Sequence, residues 1–145
     1  MTDTLTTVLD TNRKIARTAL EQVCPTGNMA LAAKCYAENF ADHVGTVTFD
    51  GLKGVRRSTD LYRRLLKDLV FGVVEQIAED DRVVSRYVVT GRHRGRHVRL
   101  SCVTISRLDN GRIVEDHSSF DTLEVLKQIG LWRTLLLAPR MLHSK

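Results

Sequence analysis

The sequence predicts an α+β domain in which helices cover one face of a curved antiparallel sheet. Apolar residues recur at helical spacing in the first third of the chain, and residues 82–120 alternate as strands joined by a tight turn. Because helices precede a run of antiparallel strands, we expect the helices to pack on one sheet face. The chain has 145 residues and 43% hydrophobic content, so we expect residues 1–145 to form one domain with a single core.

Three helices and a short strand are predicted before the main run of strands. The predicted elements are helices over residues 4–23, 29–37 and 55–69, a brief strand over 39–44 and a loop over 46–54. In the helices, apolar side chains recur close to i, i+3 and i+4, which is the spacing of an amphipathic helix. Pro25 ends the first helix, and Gly51 and Gly54 favour the loop.

Four strands and a closing helix are predicted next. The predicted strands are residues 71–78, 82–91, 98–108 and 112–120, which are rich in β-branched and aromatic side chains. The Asn-Gly pair at positions 110–111 tolerates the positive φ of a hairpin turn. Asp121, with Glu124 three positions later, fits a helix N-cap, and Gly130 fits the helix end. We expect the apolar segment 131–138 to pack on the body of the protein or on a second subunit.

Composition narrows the classes of function. The formal net charge is +5, but the basic residues are interleaved with 17 acids along the chain. The densest basic cluster, residues 92–99, straddles a predicted hairpin tip, so we interpret it as a solvated loop or, alternatively, a docking patch for an acidic carrier or an anionic group. No helix-turn-helix, RNA-recognition or zinc-finger signature accompanies the charge, so nucleic acid is not an expected partner.

Location and metal content are predicted from what the sequence lacks. No signal segment and no run of about 18 apolar residues is present, so we expect a soluble, cytoplasmic protein without a membrane partner. The three cysteines have spacings of no zinc motif, so we expect free thiols. No metal site is expected from His43, His93 and His117, because they lie on separate elements without a metal-binding pattern.

Five motifs follow one another in order along the chain: FADH at 40–43, GLKGV at 51–55, DRVVSRYVVTGRHRG at 81–95, GRIVEDHSSFD at 111–121 and LKQIG at 126–130. This ordered set resembles the SnoaL-like polyketide cyclases of the nuclear-transport-factor-2-like (NTF2-like) superfamily. The resemblance implies an NTF2-like cone, in which a curved antiparallel sheet wraps around the N-terminal helices. It also implies a cofactor-independent enzyme, a homodimer, a hydrophobic small-molecule substrate and a role in antibiotic biosynthesis.

The resemblance also exposes a departure at the expected catalytic position. In the aldol-type cyclases an aspartate on the closing strand is the general acid/base, and an ungapped reading places Ser118 there. An unactivated serine hydroxyl is too weak an acid or base near neutral pH to replace a carboxyl group. The polar partners on the preceding strand fall at Cys102 and Thr104, and both differ from the cyclase residues.

Asp116 is the first candidate for acid/base chemistry. Strand alternation places two sets of side chains on the faces expected to line the cavity: Val114, Asp116, Ser118 and Phe120 on the last strand, and Leu100, Cys102, Thr104 and Ser106 on its neighbour. A carboxyl group among Val114, Phe120 and Leu100 would lose solvation, which raises its pKa toward neutrality. The alternative is a surface acid beside Glu115 or one paired with an arginine.

Asp42 and His43 are the second pair of candidates, because a His-Asp pair at a pocket mouth can relay a proton. A structural role, with Asp42 capping a turn, is the alternative. We interpret Tyr62 and Tyr87 as core or pocket wall, His93 as structural or exposed, and His117 as facing outward. The expected substrate-binding set is Tyr62, Tyr87, Leu100, Cys102, Thr104, Ser118 and Phe120.

The expected activity is cyclisation or isomerisation of a polyketide-derived or similar hydrophobic molecule without a cofactor. It would proceed by acid/base chemistry in the pocket or by folding the substrate into a reactive shape. A non-catalytic binding or assembly module is the alternative, and its cavity would then be filled by bulky side chains or would open only onto a subunit interface. A hydrolase or dehydratase of a small ring or epoxide is a further alternative, which predicts Asp42 and His43 hydrogen-bonded inside the pocket.

Overall fold

The computed structural model describes residues 2–130, which form four α-helices and six strands. The helices are α1 Thr2–Thr18, α2 Met29–Cys35, α3 Gly51–Leu65 and α4 Thr122–Ile129, with a π-helical turn, Ala19–Val23, extending α1. The strands are β1 Tyr36–Val44, β2 Val47–Asp50, β3 Lys67–Glu79, β4 Arg82–His93, β5 Arg96–Asp109 and β6 Arg112–Phe120. None of the described helices is long and apolar enough to cross a membrane.

The six strands form one curved, open sheet in the order β2-β1-β6-β5-β4-β3. Every neighbouring pair is antiparallel except β1 and β6, which run parallel, so the sheet is mixed rather than wholly antiparallel. Helices pack on one face of this sheet, which confirms the predicted α+β class. The opposite, outer face is not covered by the described helices.

Two apolar clusters fill the space between helices and sheet. One joins α1 and its π turn to the centre of the sheet, where Val23, Val83 and Ile113 are buried. The other lies between the end of α3 and strands β3, β4 and β5, and includes Leu66, Phe71 and Tyr87. Burial of these side chains is the main stabilising contribution, because each fully buried large apolar side chain contributes about 1.5–3 kcal/mol.

The hairpin β1–β2 corrects two sequence-based expectations. Residues 46–54 were expected to be a loop, but Val47–Asp50 pairs with β1, which runs from Tyr36 rather than from residue 39. As a result α3 begins at Gly51 and ends at Leu65, four residues earlier at each end than predicted. The predicted closing helix and the Asn-Gly hairpin turn are present, with Asn110 and Gly111 at φ +49° and +73°. The apolar segment 131–138 lies outside the described residues.

An irregularity in β6 changes which of its side chains face the helices. Leu108 pairs with Ile113 while the preceding Arg107 pairs with Glu115, so one extra residue, Val114, is inserted in β6. Such a bulge interrupts the alternation of faces. Ile113 and Asp116 are therefore both buried, whereas Val114 is half-buried and lines neither of the cavities described below. The prediction that Val114 shares the cavity face is wrong for this reason.

Candidate active site

An inner hollow lies between the helices and the concave face of the sheet. Its cavity volume is about 30 Å³. Apolar side chains such as Leu20, Phe40 and Val55 form part of its wall, and its polar lining comprises Tyr36, Asp42, Ser58, Thr59, Tyr62, Tyr87, Thr104, Asp116 and Ser118. Two of these groups are carboxyls, which places ionisable chemistry inside a small, partly apolar enclosure.

An outer hollow adjoins the inner one and is almost wholly apolar. Its cavity volume is about 110 Å³, and it shares Tyr62, Phe71, Tyr87 and Ser118 with the inner hollow. Its wall also includes Leu100, Cys102 and Phe120 of the sheet and Val125 and Ile129 of α4. The seven residues expected to bind substrate, Tyr62, Tyr87, Leu100, Cys102, Thr104, Ser118 and Phe120, thus all line one or both hollows.

Asp116 lies at the inner end with only 6% of its surface exposed. Its Oδ1 atom has no hydrogen-bond partner. Burial raises the pKa of Asp116 to about 8, with the nearby Asp42 carboxylate as the second cause, while the Ser106 hydroxyl on the neighbouring strand acts in the opposite direction. Desolvation disfavours the charged form of a carboxyl group, so this side chain is held largely protonated at neutral pH.

Asp42 is the second carboxyl group of the inner hollow. It lies directly beside Asp116, because the parallel pairing of β1 and β6 aligns the two residues. Burial raises the pKa of Asp42 to about 6, and hydrogen bonding from Ser118 limits the rise. The two neighbouring acids therefore titrate in different pH ranges, which is the pattern expected of a general acid paired with a general base.

A chain of hydroxyl groups leads from Asp42 across the sheet to Tyr87. Ser118 Oγ donates to Asp42 Oδ1 at 3.1 Å, Thr104 Oγ1 lies 3.0 Å from Ser118 Oγ, and Tyr87 Oη lies 3.1 Å from Thr104 Oγ1. Each hydroxyl has one proton, so donation by Ser118 to Asp42 leaves Thr104 to donate to Ser118, and Tyr87 to donate to Thr104. The whole chain therefore favours the ionised form of Asp42.

His43 does not share the cavity with Asp42. Its ring nitrogens lie 3.3 Å from Thr48 Oγ1 and 3.2 Å from Glu115 Oε2, and its ring stacks on His117 at the outer face of the sheet. Successive residues of a strand point to opposite faces, so an inward Asp42 requires an outward His43. The expectation that the two residues form a pocket pair is thus wrong. His93, whose Nδ1–H donates to Leu65 O at 2.8 Å, contributes to neither hollow.

Comparison with known proteins identifies the family. A sequence profile of the SnoaL-like polyketide cyclases matches residues 14–129. The chain belongs to this family. A search of the curated proteins finds no match.

Solved structures with the same fold have low sequence identity to this SnoaL-like chain. TsrD from Streptomyces laurentii is 18% identical, with 83% of this chain and 96% of that one covered at a TM-score of 0.74. A candidate polyketide cyclase from Bacillus cereus is 25% identical, with 75% of this chain and 74% of that one covered at a TM-score of 0.68. A Catenulispora acidiphila protein with a ketosteroid isomerase-like fold is 16% identical, with 79% of this chain and 90% of that one covered at a TM-score of 0.70. These likenesses establish the ketosteroid isomerase-like fold.

In this SnoaL-like chain the inner hollow can support proton transfer without a cofactor. It offers a largely protonated carboxyl at Asp116, a largely ionised one at Asp42, and tyrosine hydroxyls whose pKa burial raises well above the ordinary value. Ser118 acts here as a hydrogen-bond donor to Asp42. The sequence did not predict the hydrogen bonds that join Asp42, Ser118, Thr104 and Tyr87. The strand alternation that places Thr104 and Ser118 on the inward face does indicate that their hydroxyl groups lie close together.

Metal-ligating groups converge elsewhere. Among residues 2–130, one group of three metal-ligating side chains has ligand atoms within 4.8 Å of one another, namely His43, Glu115 and His117. All three lie on the outer face, away from both hollows.

Proposed function

We propose that this SnoaL-like protein is a cofactor-independent cyclase or isomerase that moves a proton on a polyketide-derived or similarly hydrophobic small molecule. The observation that carries the proposal is the burial of Asp116, with one carboxyl oxygen unpartnered, at the end of a cavity whose outer part is apolar. A buried unpaired polar atom destabilises a protein by about 1–3 kcal/mol, so a use in binding or catalysis would account for its presence.

The two carboxyl groups have complementary proposed roles. Asp42, ionised at neutral pH, removes a proton from the carbon next to a substrate carbonyl. Asp116, protonated at the same pH, donates its proton to the carbonyl oxygen, which gives an enol and an ionised Asp116. In a cyclase the enol carbon then attacks a second carbonyl carbon, the enol O–H proton returns to Asp116, and the new alkoxide takes the proton that Asp42 removed. In an isomerase the intermediate is a dienol, which takes the proton from Asp42 at a different carbon and returns its O–H proton to Asp116. Neither route requires a redox partner.

The apolar outer hollow has the second proposed role. Leu100, Cys102 and Phe120 offer an apolar surface for the body of the substrate, while its reacting carbonyl enters the inner hollow. Holding a flexible chain in a near-attack conformation itself lowers the barrier to ring closure, so binding and proton transfer both contribute.

The alternatives have less support from the same geometry. A non-catalytic module was expected to have a cavity that is filled by bulky side chains or that opens only onto a subunit interface; among the described residues the outer hollow keeps about 110 Å³ of space. A hydrolase or dehydratase was expected to have Asp42 and His43 hydrogen-bonded in the pocket, but His43 bonds to Glu115 on the other face.

We further propose that the chain acts as a homodimer that associates through the outer face of the sheet. Ile77, Val84 and Ile105 lie in one row across β3, β4 and β5 by strand register. Ile77 and Ile105 are 68% and 39% exposed. An uncovered apolar row on a sheet face favours association with another surface.

The test is proton abstraction from 5-nitrobenzisoxazole, a small aromatic carbon acid that reports a desolvated base without knowledge of the natural substrate. We expect Asp42→Asn and Asp116→Asn each to lower kcat/KM by about 10²-fold or more, since a positioned acid or base contributes roughly 10²–10⁴-fold. Asp109→Asn, at an exposed acid at the end of β5, is the matched control. Equal rates in wild type and both cavity variants would contradict the proposal.

A further inference from the structure

We propose that His43, Glu115 and His117 form a binding site for a divalent transition-metal ion, of which Zn²⁺ is the best match, on the outer face of the sheet. The site is separate from both hollows and does not depend on the proposed catalytic activity. Its three ligands come from the two strands that pair in parallel, β1 and β6.

The ligand spacing fits a tetrahedral ion. His43 Nε2 lies 3.2 Å from Glu115 Oε2, and His117 Nε2 lies 3.5 Å from Glu115 Oε1. Zinc binds imidazole nitrogen and carboxylate oxygen at about 2.0–2.2 Å, so two ligand atoms on one tetrahedral ion are roughly 3.3–3.5 Å apart. All three ligand atoms fall within 4.8 Å of one another. A small movement of the His43 and His117 rings toward each other therefore brings all three ligand atoms to tetrahedral spacing around one ion.

Strand geometry explains why these side chains converge. Glu115 and His117 are two residues apart on β6 and so project from the same face. His43 is directly beside His117 in the parallel register, and their rings stack at a centroid distance of 4.6 Å with planes 24° apart. Both imidazoles thus present Nε2 to the same carboxylate.

A neighbouring hydroxyl can orient one ligand. His43 Nδ1 lies 3.3 Å from Thr48 Oγ1 on β2. When Nδ1–H donates to that hydroxyl, Nε2 carries the lone pair and faces the carboxylate oxygen. Two acceptors then face each other, and a bound cation between them satisfies both. Hydrogen bonding at the far nitrogen is the usual support of a metal-bound histidine.

The ligand set selects the class of ion. Two imidazole nitrogens and one carboxylate oxygen suit Zn²⁺, Co²⁺, Ni²⁺ or Cu²⁺ better than Mg²⁺ or Ca²⁺, which prefer all-oxygen sites. The side chains are about one third to one half exposed in the single chain, so water can reach a fourth position there. In the proposed dimer the cluster borders the interface, because His117 pairs with Ile105 of the apolar row. Arg107, whose Nε lies 3.6 Å from Glu115 Oε1, is a competing cation.

An ion at this site would clamp β1 to β6 where Asp42 and Asp116 lie side by side on the opposite face. Because it binds the folded chain and not the unfolded one, it stabilises the fold by mass action. We expect Zn²⁺ at about a hundred times its dissociation constant to raise the thermal midpoint by roughly 5–10 °C.

The first experiment measures Zn²⁺ binding to the full chain, purified without a histidine tag, by competition with a chromogenic chelator. We expect one Zn²⁺ per chain, and at least about a tenfold loss of affinity in His117→Ala and in the nearly isosteric Glu115→Gln. His97→Ala, at an exposed histidine on β5 outside the cluster, should bind as wild type does. Equal affinity in all four proteins, or one ion per two chains, would overturn the site.

A second set of variants distinguishes ligation from a general effect on folding. Arg107→Gln removes the competing charge and should tighten Zn²⁺ binding, whereas Thr48→Val removes the support of His43 and should weaken it by roughly tenfold. Co²⁺ bound to the wild-type chain should give the visible absorption of a four-coordinate ion, which Glu115→Gln should lose. Unchanged affinity in Arg107→Gln, or an octahedral Co²⁺ spectrum identical to that in buffer, would count against the site.

Discussion

Hydrogen bonding, rather than burial alone, separates the two acids of the cavity. Asp42 and Asp116 line the same hollow, and burial raises the pKa of both. Asp42 receives the Ser118 hydroxyl at 3.1 Å, whereas one oxygen of Asp116 has no partner. A hydrogen bond to the charged form of an acid favours ionisation, so Asp42 is the stronger acid. The negative charge of Asp42 in turn raises the pKa of Asp116, so the hydrogen bond on one acid and the resulting charge beside the other act together.

The effect of that hydroxyl can be measured with Ser118→Ala. The variant removes the donor to Asp42, so the pKa of Asp42 should rise above about 6, and by about one unit if the lost bond contributes near 1.4 kcal/mol. We expect the acid limb of the pH profile of kcat/KM for 5-nitrobenzisoxazole to move to higher pH by that amount. Ser119→Ala, at an exposed neighbour, is the control. An unmoved limb would show that Asp42 is not the base.

The sequence alone indicates which residues face the cavity better than it indicates what they bond to. Alternation along β6 predicts the side on which Asp116 and Ser118 lie, because their separation by two residues is local information. The bond from Ser118 to Asp42 joins residues 76 positions apart, and it depends on the parallel pairing of β1 with β6. His43 was assigned to the wrong side because the short segment around it gave no strand direction.

At the scale of single elements, the β1–β2 hairpin and the β6 bulge escaped prediction for a related reason. The segment 46–54 has turn composition, and its four-residue strand forms only by pairing with β1. The bulge at Val114 cannot be recognised from the neighbouring residues, because the pairing of β6 with β5 determines it. By contrast, the Asp121 cap and the Asn110-Gly111 turn were predictable, since each depends on conformations of adjacent residues.

The packing of α3 on β2 depends on a glycine. A Cβ atom at Gly54 would lie 2.5 Å from the backbone carbon of Phe49, which cannot move as a side chain can. We expect Gly54→Ala to lower the free energy of unfolding by about 1–3 kcal/mol through overpacking, measured by urea unfolding. Gly72→Ala is the matched control, because its nearest contact would be 4.0 Å. Equal losses in the two variants would contradict this account of the α3–β2 contact.

At the scale of the whole molecule, the sheet separates two kinds of chemistry. One face encloses carboxyl groups in an apolar cavity, and the other carries the histidine cluster and the apolar row of Ile77, Val84 and Ile105. The parallel β1–β6 pair belongs to both faces, because Asp42 and Asp116 project inward where His43 and His117 project outward. A change in the register of that pair would therefore alter both sites.

The apolar row leads to a prediction about association. Ile105→Glu places a charge at the β5 end of the row, and burying it without a partner would cost about 3–5 kcal/mol. We expect the variant to be monomeric in light scattering coupled to size exclusion at concentrations where the wild type is dimeric. Leu5→Glu, at an exposed leucine of α1, should leave the dimer unchanged. A wild-type monomer, or an Ile105→Glu dimer, would contradict association through this face.

Stability of the whole chain should depend on pH through the two buried acids. Asp42 and Asp116 have an ordinary pKa of 3.8, which folding raises to about 6 and about 8. Between pH 3.8 and the raised pKa of each acid, the folded chain keeps a proton that the unfolded chain has released. The two acids therefore contribute their full stabilisation below pH 3.8, and this contribution is lost as the pH rises toward 8. We expect the free energy of unfolding in EDTA-containing buffer to fall by about 1–3 kcal/mol from pH 5 to pH 8. In Asp116→Asn the fall should be smaller, and the variant should be more stable than wild type at pH 8. Parallel urea-unfolding curves for the two proteins across this range would mean that Asp116 is not held protonated by the fold.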